Sequence, residues 1–149
     1  MEKSTKATIL LLLHQPFRVT DPRFYPIKSI SELFEGRYNK NGIESSNEII
    51  FKRVAKNSYI PTAKFFLELL QNKPNLRLNF SFSGLLLEQC QLFPDVGSQI
   101  IEIFKKLIST GQVGIAGDNY YHSLVHMVSL KDLAQQIDKQ RQLIKKIFQ

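Results

Sequence analysis

The stretch TILLLLHQP (residues 8–16) is a short apolar run halted by a proline. Lys3 and Lys6 precede it, as basic residues precede a secretory leader. The run from Ala7 to Leu13, however, only reaches the ~7-residue lower limit of a leader core, and it ends in His14-Gln15-Pro16, not in small residues suited to cleavage. A buried β-strand from Thr8 to Leu13 accounts for the pattern better. A strand covered on both faces reads as a continuous apolar run, and proline stops it because it has no N–H to give a neighbouring strand.

The segments that follow alternate in period. Gln15 to Ser46 has no clear period and holds Pro16, Pro22, Pro26, Gly36 and Gly42. So long a connection is unusual and often functional; a short helical turn is expected near Ile30 to Phe34. Asn47 to Asn57 reads as a helix with Ile50 and Val54 inward. Pro61 suits the first turn of another, where its missing N–H has no partner to lose. Ala63, Phe66, Leu67 and Leu70 share one face of that helix, and Asn72-Lys73-Pro74 ends it.

Leu76 to Phe82 alternates apolar and polar residues, which marks a second strand. Leu85 to Gln91 then reads as a short helix. Pro94 opens a longer one, with Val96, Ile100, Ile103, Phe104 and Leu107 as its stripe and Gly111 as its stop. Val113 to Ala116 is a third strand. Ser129 is a suitable N-cap for a last helix toward Phe148, with Leu130, Leu133, Ala134, Ile137, Ile144, Ile147 and Phe148 inward. Strands alternating with helices predict an α/β fold of about three βα units on a parallel sheet. In such folds ligands gather at the C-terminal ends of the strands, here His14-Gln15, Ser83-Gly84 and the stretch after Ala116.

Composition narrows the classes. The chain has 149 residues, 43% hydrophobic and 22% charged, which argues for one folded domain and against a disordered chain. No apolar run approaches the ~20 residues of a membrane span. The net charge of +7 is spread from Lys3 to Lys146 without a basic tract, so nucleic-acid binding has charge alone in its favour and is not expected. Cys90 is the single cysteine, which excludes an internal disulfide and fits a reducing compartment; cytoplasm is the expected location.

Candidate chemistry lies near the strand ends. His14 can hydrogen-bond a substrate oxygen or a carboxylate, or simply cap its strand. Tyr120-Tyr121-His122 can offer aromatic faces and polar tips to a sugar, or pack as an ordinary tyrosine pair. His122 and His126 are four apart, and with His14 three histidines could converge on zinc. The Ser-Leu-Val between His122 and His126 lacks a zincin glutamate, so no metal or other cofactor is expected. Glu88 reads as a solvated helix residue and Cys90 as a small packing residue. Gly84 and Gly111 are isolated breaks, not parts of a phosphate-binding loop.

Six segments together resemble the N-terminal part of glycoside hydrolase family 57, in particular its α-amylase-like members: LLLLHQPFR (10–18), FEGRYNKN (34–41), RVAKNSYIPT (53–62), FSFSGLLLEQ (80–89), STGQVGIAGDNYYHSL (109–124) and QIDKQRQLIKKIF (136–148). They occur in the family's order and cover nearly the whole chain. The resemblance implies a single partial domain over 1–149, the N-terminal portion of a seven-stranded (β/α) barrel acting on α-glucans with retention. It implies that His14, Gln15, Tyr121 and His122 line a sugar site. It also implies that the nucleophilic glutamate and the acid/base aspartate come from later strands, so no catalytic residue is assigned here and the chain alone is expected to be inactive. Two departures stand out: Gly114 occupies the place of a family glutamate, and Gly117-Asp118-Asn119 replaces Ala-Glu-Thr. The expected partners are an α-glucan or malto-oligosaccharide and a complementary C-terminal barrel fragment or a second copy. A non-catalytic carbohydrate-binding or protein-interaction remnant of the fold is the alternative. A partial barrel should also leave an open edge at the third strand and bare apolar helix faces.

Overall fold

The computed structural model describes residues 8–149; the leader reading falls partly on residues 1–7, outside the described residues. β1 is Leu10–Leu13. The long connection holds α1 (Ile30–Phe34) and an antiparallel hairpin of β2 (Tyr38–Lys40) and β3 (Ile43–Ser45). The sequence pattern did not predict this hairpin: its strands are three residues each, too short to show a period, and its turn is carried by Asn41 and Gly42, both at positive φ.

α2 (Asn47–Val54) and α3 (Ile60–Asn72) form a continuous helical run joined by a π-helical turn over Ala55–Tyr59. Two separate helices were expected around Pro61. A proline inside an α-helix loses one hydrogen bond and clashes with the carbonyl four residues back. The wider turn just before Pro61 accommodates both effects, so the chain continues without a break. Between α4 (Gly84–Leu92) and α5 (Pro94–Ser109) the opposite happens. Phe93, held out of the helical region by the proline after it, sits at φ −121°, ψ 67° and separates the two helices.

β4 (Leu78–Phe82) lies at the centre of a three-stranded sheet, flanked in parallel by β1 and by β5 (Val113–Ala116). The register pairs Leu11 with Phe80 and Leu13 with Phe82, and these side chains face the helices. Phe80 and Phe82 meet Phe104 edge-on, with ring centroids 5.2 and 5.0 Å apart, and Phe82 meets Phe148 at 5.1 Å. Each such buried ring contributes about 1.5–3 kcal/mol, which makes β4 the anchor of the core. The opposite face alternates out of phase: Leu10 with Asn79 and Gly114, Leu12 with Ser81 and Ala116.

α6 (Leu130–Phe148) starts at Ser129, whose hydroxyl accepts the Asp132 N–H at 3.2 Å. Only its C-terminal half joins the core, through Leu143, Ile144, Ile147 and Phe148. Leu130 and Ile137, expected inward, are 74% and 42% exposed. The periodicity marks an apolar face correctly, but among the described residues nothing buries Leu130 or Ile137. The open sheet edge is likewise not confined to the third strand. β1 is an edge too, and Leu10 and Leu12 on it are exposed.

Candidate functional site

The strands point their C-terminal ends at one cluster. His14 follows β1, and its Nδ1 lies 2.9 Å from the Ser83 hydroxyl at the end of β4. Ser83 also caps α4, its oxygen accepting the Leu86 N–H at 3.3 Å. The Ser83–His14 hydrogen bond runs from the hydroxyl when the ring proton is on Nε2 and from Nδ1 when it is there. Tyr59, in the π turn, donates to the His14 carbonyl at 3.1 Å.

His122 comes from the loop after β5. Its φ of 50° is the left-handed region, uncommon for a side-chain-bearing residue. The turn lays its ring against His14, with centroids 4.7 Å apart and planes at 41°. Its Nδ1 is 3.0 Å from Asp118 Oδ2. Burial holds the His14 pKa below its ordinary 6.5; the nearby His122 pushes the same way, and Asp118 opposes. The ring nitrogen of a neutral imidazole that is not bonded to Ser83 can donate to or accept from a hydroxyl, and the Asp118–His122 pair can accept from one.

The adjacent tyrosines divide their roles. Tyr120 is buried, its hydroxyl donating to Glu88 Oε1 at 2.5 Å and its carbonyl accepting the Gly84 N–H at 2.8 Å. A Cβ on Gly84 would sit 2.5 Å from the Tyr120 ring, so only glycine allows this approach. Tyr121 is 44% exposed; Lys139 Nζ donates to its hydroxyl at 2.9 Å and lies 3.7 Å above the Tyr120 ring. Burial raises the Tyr120 pKa, and the Glu88 carboxylate raises it further. Glu88 is therefore tied to Tyr120, not simply solvated as its sequence context predicted.

Of the residues expected to line a sugar site, the structure brings His14 and His122 together and leaves Tyr121 open nearby. Gln15 is placed differently. It is buried, its carbonyl accepts from Gln89 Nε2 at 2.7 Å, and its side-chain oxygen lies 3.4 Å from the Tyr59 hydroxyl. Gln15 is turned into the protein: its backbone carbonyl fastens the end of β1 to α4, and its side chain reaches Tyr59 in the π turn. His126 lies in a 3-10 turn (Val125–Met127), and no three His, Cys, Asp or Glu among the described residues are grouped to hold a metal ion. Cys90 is buried, its thiol pushed up to about 12 by desolvation, which suits packing and not attack. Asp118, Glu88 and Lys139 were not singled out as site residues from sequence. The four-residue spacing of Asp118 and His122 was a usable signal; Lys139 had none, since only tertiary packing carries α6 to the tyrosines.

Gly114, exposed on the edge strand β5, pairs with Asn79 of β4. A Cβ there would meet the Asn79 side-chain oxygen at 2.5 Å, so the Asn79 amide occupies the space over this glycine.

Parallel strands with helices on one face define an α/β protein, and its histidine, carboxylate and tyrosine cluster lies at the strand C-termini, where folds of this class commonly take ligands. The sequence pattern of glycosyl hydrolase family 57 matches residues 8–149, and the chain belongs to that family. A Methanocaldococcus jannaschii protein that carries the provisional name alpha-amylase is 30% identical over 137 residues, which is 91% of this chain and 27% of that protein. An alpha-amylase of Pyrococcus abyssi is 28% identical over 97 residues, 65% of this chain and 14% of its own length. The crystal structure of a 4-alpha-glucanotransferase from Thermococcus litoralis superimposes with a TM-score of 0.59 at 21% identity, covering 94% of this chain and 17% of the enzyme. The chain thus spans about a quarter or less of the proteins it matches.

Proposed function

We propose that this chain forms the N-terminal wall of an α-glucan-acting glycoside hydrolase, of α-amylase or 4-α-glucanotransferase type, and contacts sugar through His14, Tyr121 and His122. The observation that carries this reading is the His14–His122–Asp118 cluster at the strand ends of a family 57 chain. His14 Nε2 hydrogen-bonds a glucosyl hydroxyl, Asp118 and His122 hold the opposite side of the polar rim, and the exposed Tyr121 ring offers a face to the sugar's apolar side. Lys139 positions that ring through its hydroxyl.

The chain does not supply the reacting carboxyls in this reading. Retaining hydrolysis needs two of them about 5–5.5 Å apart, one free to attack and one to carry the proton. Asp118 is engaged with His122 and Glu88 with Tyr120. In this reading the nucleophile and acid/base come from further strands of the barrel. The β1 edge with Leu10 and Leu12, unpaired among the described residues, and the exposed Leu124, Met127, Val128 and Leu130 form the surface that those strands and their helices cover.

Two measurements test the proposal. The pure chain should release no reducing sugar from soluble starch; steady release would refute the assignment of the reacting carboxyls. Calorimetry with maltoheptaose should show binding that His14→Ala or Tyr121→Ala removes, and no binding at millimolar ligand would refute the sugar contact. A non-catalytic remnant is the second reading. The Asn79 side-chain oxygen standing over Gly114, where the family resemblance implies a glutamate, favours it. Under that reading, co-expression with the C-terminal strands of a family relative restores no activity.

A further inference from the structure

Gly117-Asp118-Asn119 stands where the family resemblance implies Ala-Glu-Thr. The last of these residues reaches both sides of His122. The Asn119 carbonyl accepts the His122 N–H at 3.1 Å, closing a turn with Tyr120 and Tyr121 at its centre. The Asn119 side chain reaches one residue further. Its oxygen accepts the Ser123 N–H at 2.7 Å, and its nitrogen donates to the Ser123 carbonyl at 3.0 Å. The peptide groups before and after His122 are thus both bonded to Asn119. Those two peptides set φ and ψ of His122, and its φ is 50°. A residue with a side chain stays in the left-handed region only where its surroundings over-determine it. Here one asparagine supplies a restraint on each side.

Asp118 completes the hold. Its Oδ1 accepts the Asn119 N–H at 2.7 Å, while its Oδ2 lies 3.0 Å from His122 Nδ1. The backbone of His122 is therefore set by residue 119 and its ring by residue 118. An amide suits the first task because it carries a donor and an acceptor on separate atoms, which meet the carbonyl and the N–H of Ser123; a threonine has a single side-chain oxygen. At the far end of the turn the Ser123 hydroxyl donates to Gln136 Oε1 at 3.2 Å, which ties the turn to α6. The outcome is the 4.7 Å contact between the rings of His122 and His14, which come from the loops after different strands.

We propose that Asn119 is the positioning residue of the strand-end cluster: it holds His122 in the left-handed conformation that lays its ring against His14, so that a sugar meets two imidazoles already in place. The proposal rests on the reading of that cluster as a sugar site. A side chain placed before the ligand arrives binds it without the cost of being ordered.

The test pairs a titration with a binding measurement on the full chain. The variants are Asn119→Ala, Asn119→Ser and Ser123→Ala, each checked by circular dichroism for unchanged fold. NMR follows the His14 imidazole through pH, together with the nuclear Overhauser contact between the two rings. Burial and the His122 ring, the two larger influences on His14, both hold its pKa below 6.5, and Asp118 opposes them. With His122 released, Asn119→Ala should raise the His14 midpoint toward 6.5 and lose the ring contact. Asn119→Ser keeps one polar oxygen and should shift the midpoint less, in the same direction. Ser123→Ala keeps every backbone group that Asn119 binds and gives up only the hydroxyl bond to Gln136, so its midpoint should match wild type. In calorimetry Asn119→Ala should bind maltoheptaose about tenfold more weakly than wild type, and Ser123→Ala equally well. An unchanged His14 midpoint and ring contact in Asn119→Ala overturn the proposal and leave the sugar site standing. Unchanged maltoheptaose affinity after the contact is lost does the same. A shift in Ser123→Ala as large as that in Asn119→Ala assigns the hold to Gln136 and also overturns it. Wild type that binds no maltoheptaose overturns the sugar-site reading itself, and the proposal with it.

Discussion

Gly84→Ala separates two effects of opposite sign. At a position whose backbone an alanine can adopt, glycine-to-alanine exchange stabilises by about 0.4–1 kcal/mol, because the unfolded chain loses freedom. Gly84 qualifies on backbone grounds: it is the first residue of α4 and is not among the positive-φ glycines. Packing says the reverse. The new Cβ would stand 2.5 Å from Cγ, Cδ1 and Cδ2 of Tyr120, against an ordinary separation of about 3.5–4.0 Å. The ring has nowhere easy to go. Its hydroxyl is bonded to Glu88, its carbonyl accepts the Gly84 N–H, and Lys139 covers it at 3.7 Å. Overpacking of this kind costs about 1–3 kcal/mol, so packing wins and the net loss is about 1–2 kcal/mol. For a chain of this size that lowers the melting temperature by about 2–8 °C. Urea unfolding followed by circular dichroism, at matched protein concentration, measures it. The double variant with Tyr120→Ala is the control, since there Gly84→Ala should become neutral or stabilising relative to Tyr120→Ala alone. A single Gly84→Ala variant more stable than wild type would refute the argument, because backbone entropy would then have outweighed the ring contact.

Asn47→Ala should cost about 2–4 kcal/mol in urea unfolding, since it strips partners from backbone groups of Arg18 and Phe34; limited proteolysis should then cut within residues 15–46 first. His14 titrates below 6.5 in the folded chain, chiefly through burial. The unfolded chain therefore takes up this proton first as pH falls, and the His14 contribution weakens stability below pH 6.5 and is absent above it. Asp118→Asn removes the one influence that raises this pKa, so the His14 imidazole signals in an NMR titration should move at still lower pH. Cys90, pushed up to about 12 by burial, should resist a thiol-specific reagent at pH 8 and react fully in denaturant.

The strands, most helices and their ends were legible in sequence because each rests on local chemistry. The alternation before Phe82, Pro94 opening α5, Gly111 at φ 71° closing it and Ser129 capping α6 depend only on neighbours along the chain. The two short hairpin strands were not legible, since three residues show no period. Pro61 misled because a π turn, set by the way α2 and α3 pack as one run, absorbs what a proline usually breaks.

Sequence by itself determined the α/β order and pointed to the strand ends, with His14 and His122 as candidates, because periodicity and chain order are local properties. Tertiary structure alone decided which candidates meet. It set the His14 ring against that of His122 across 108 residues of chain, turned Gln15 inward, divided Tyr120 from Tyr121 and carried Lys139 over both. It also decided that the N-terminal half of the α6 stripe stays bare. An amphipathic pattern states which face seeks cover, whereas the cover itself depends on what the rest of the fold places there.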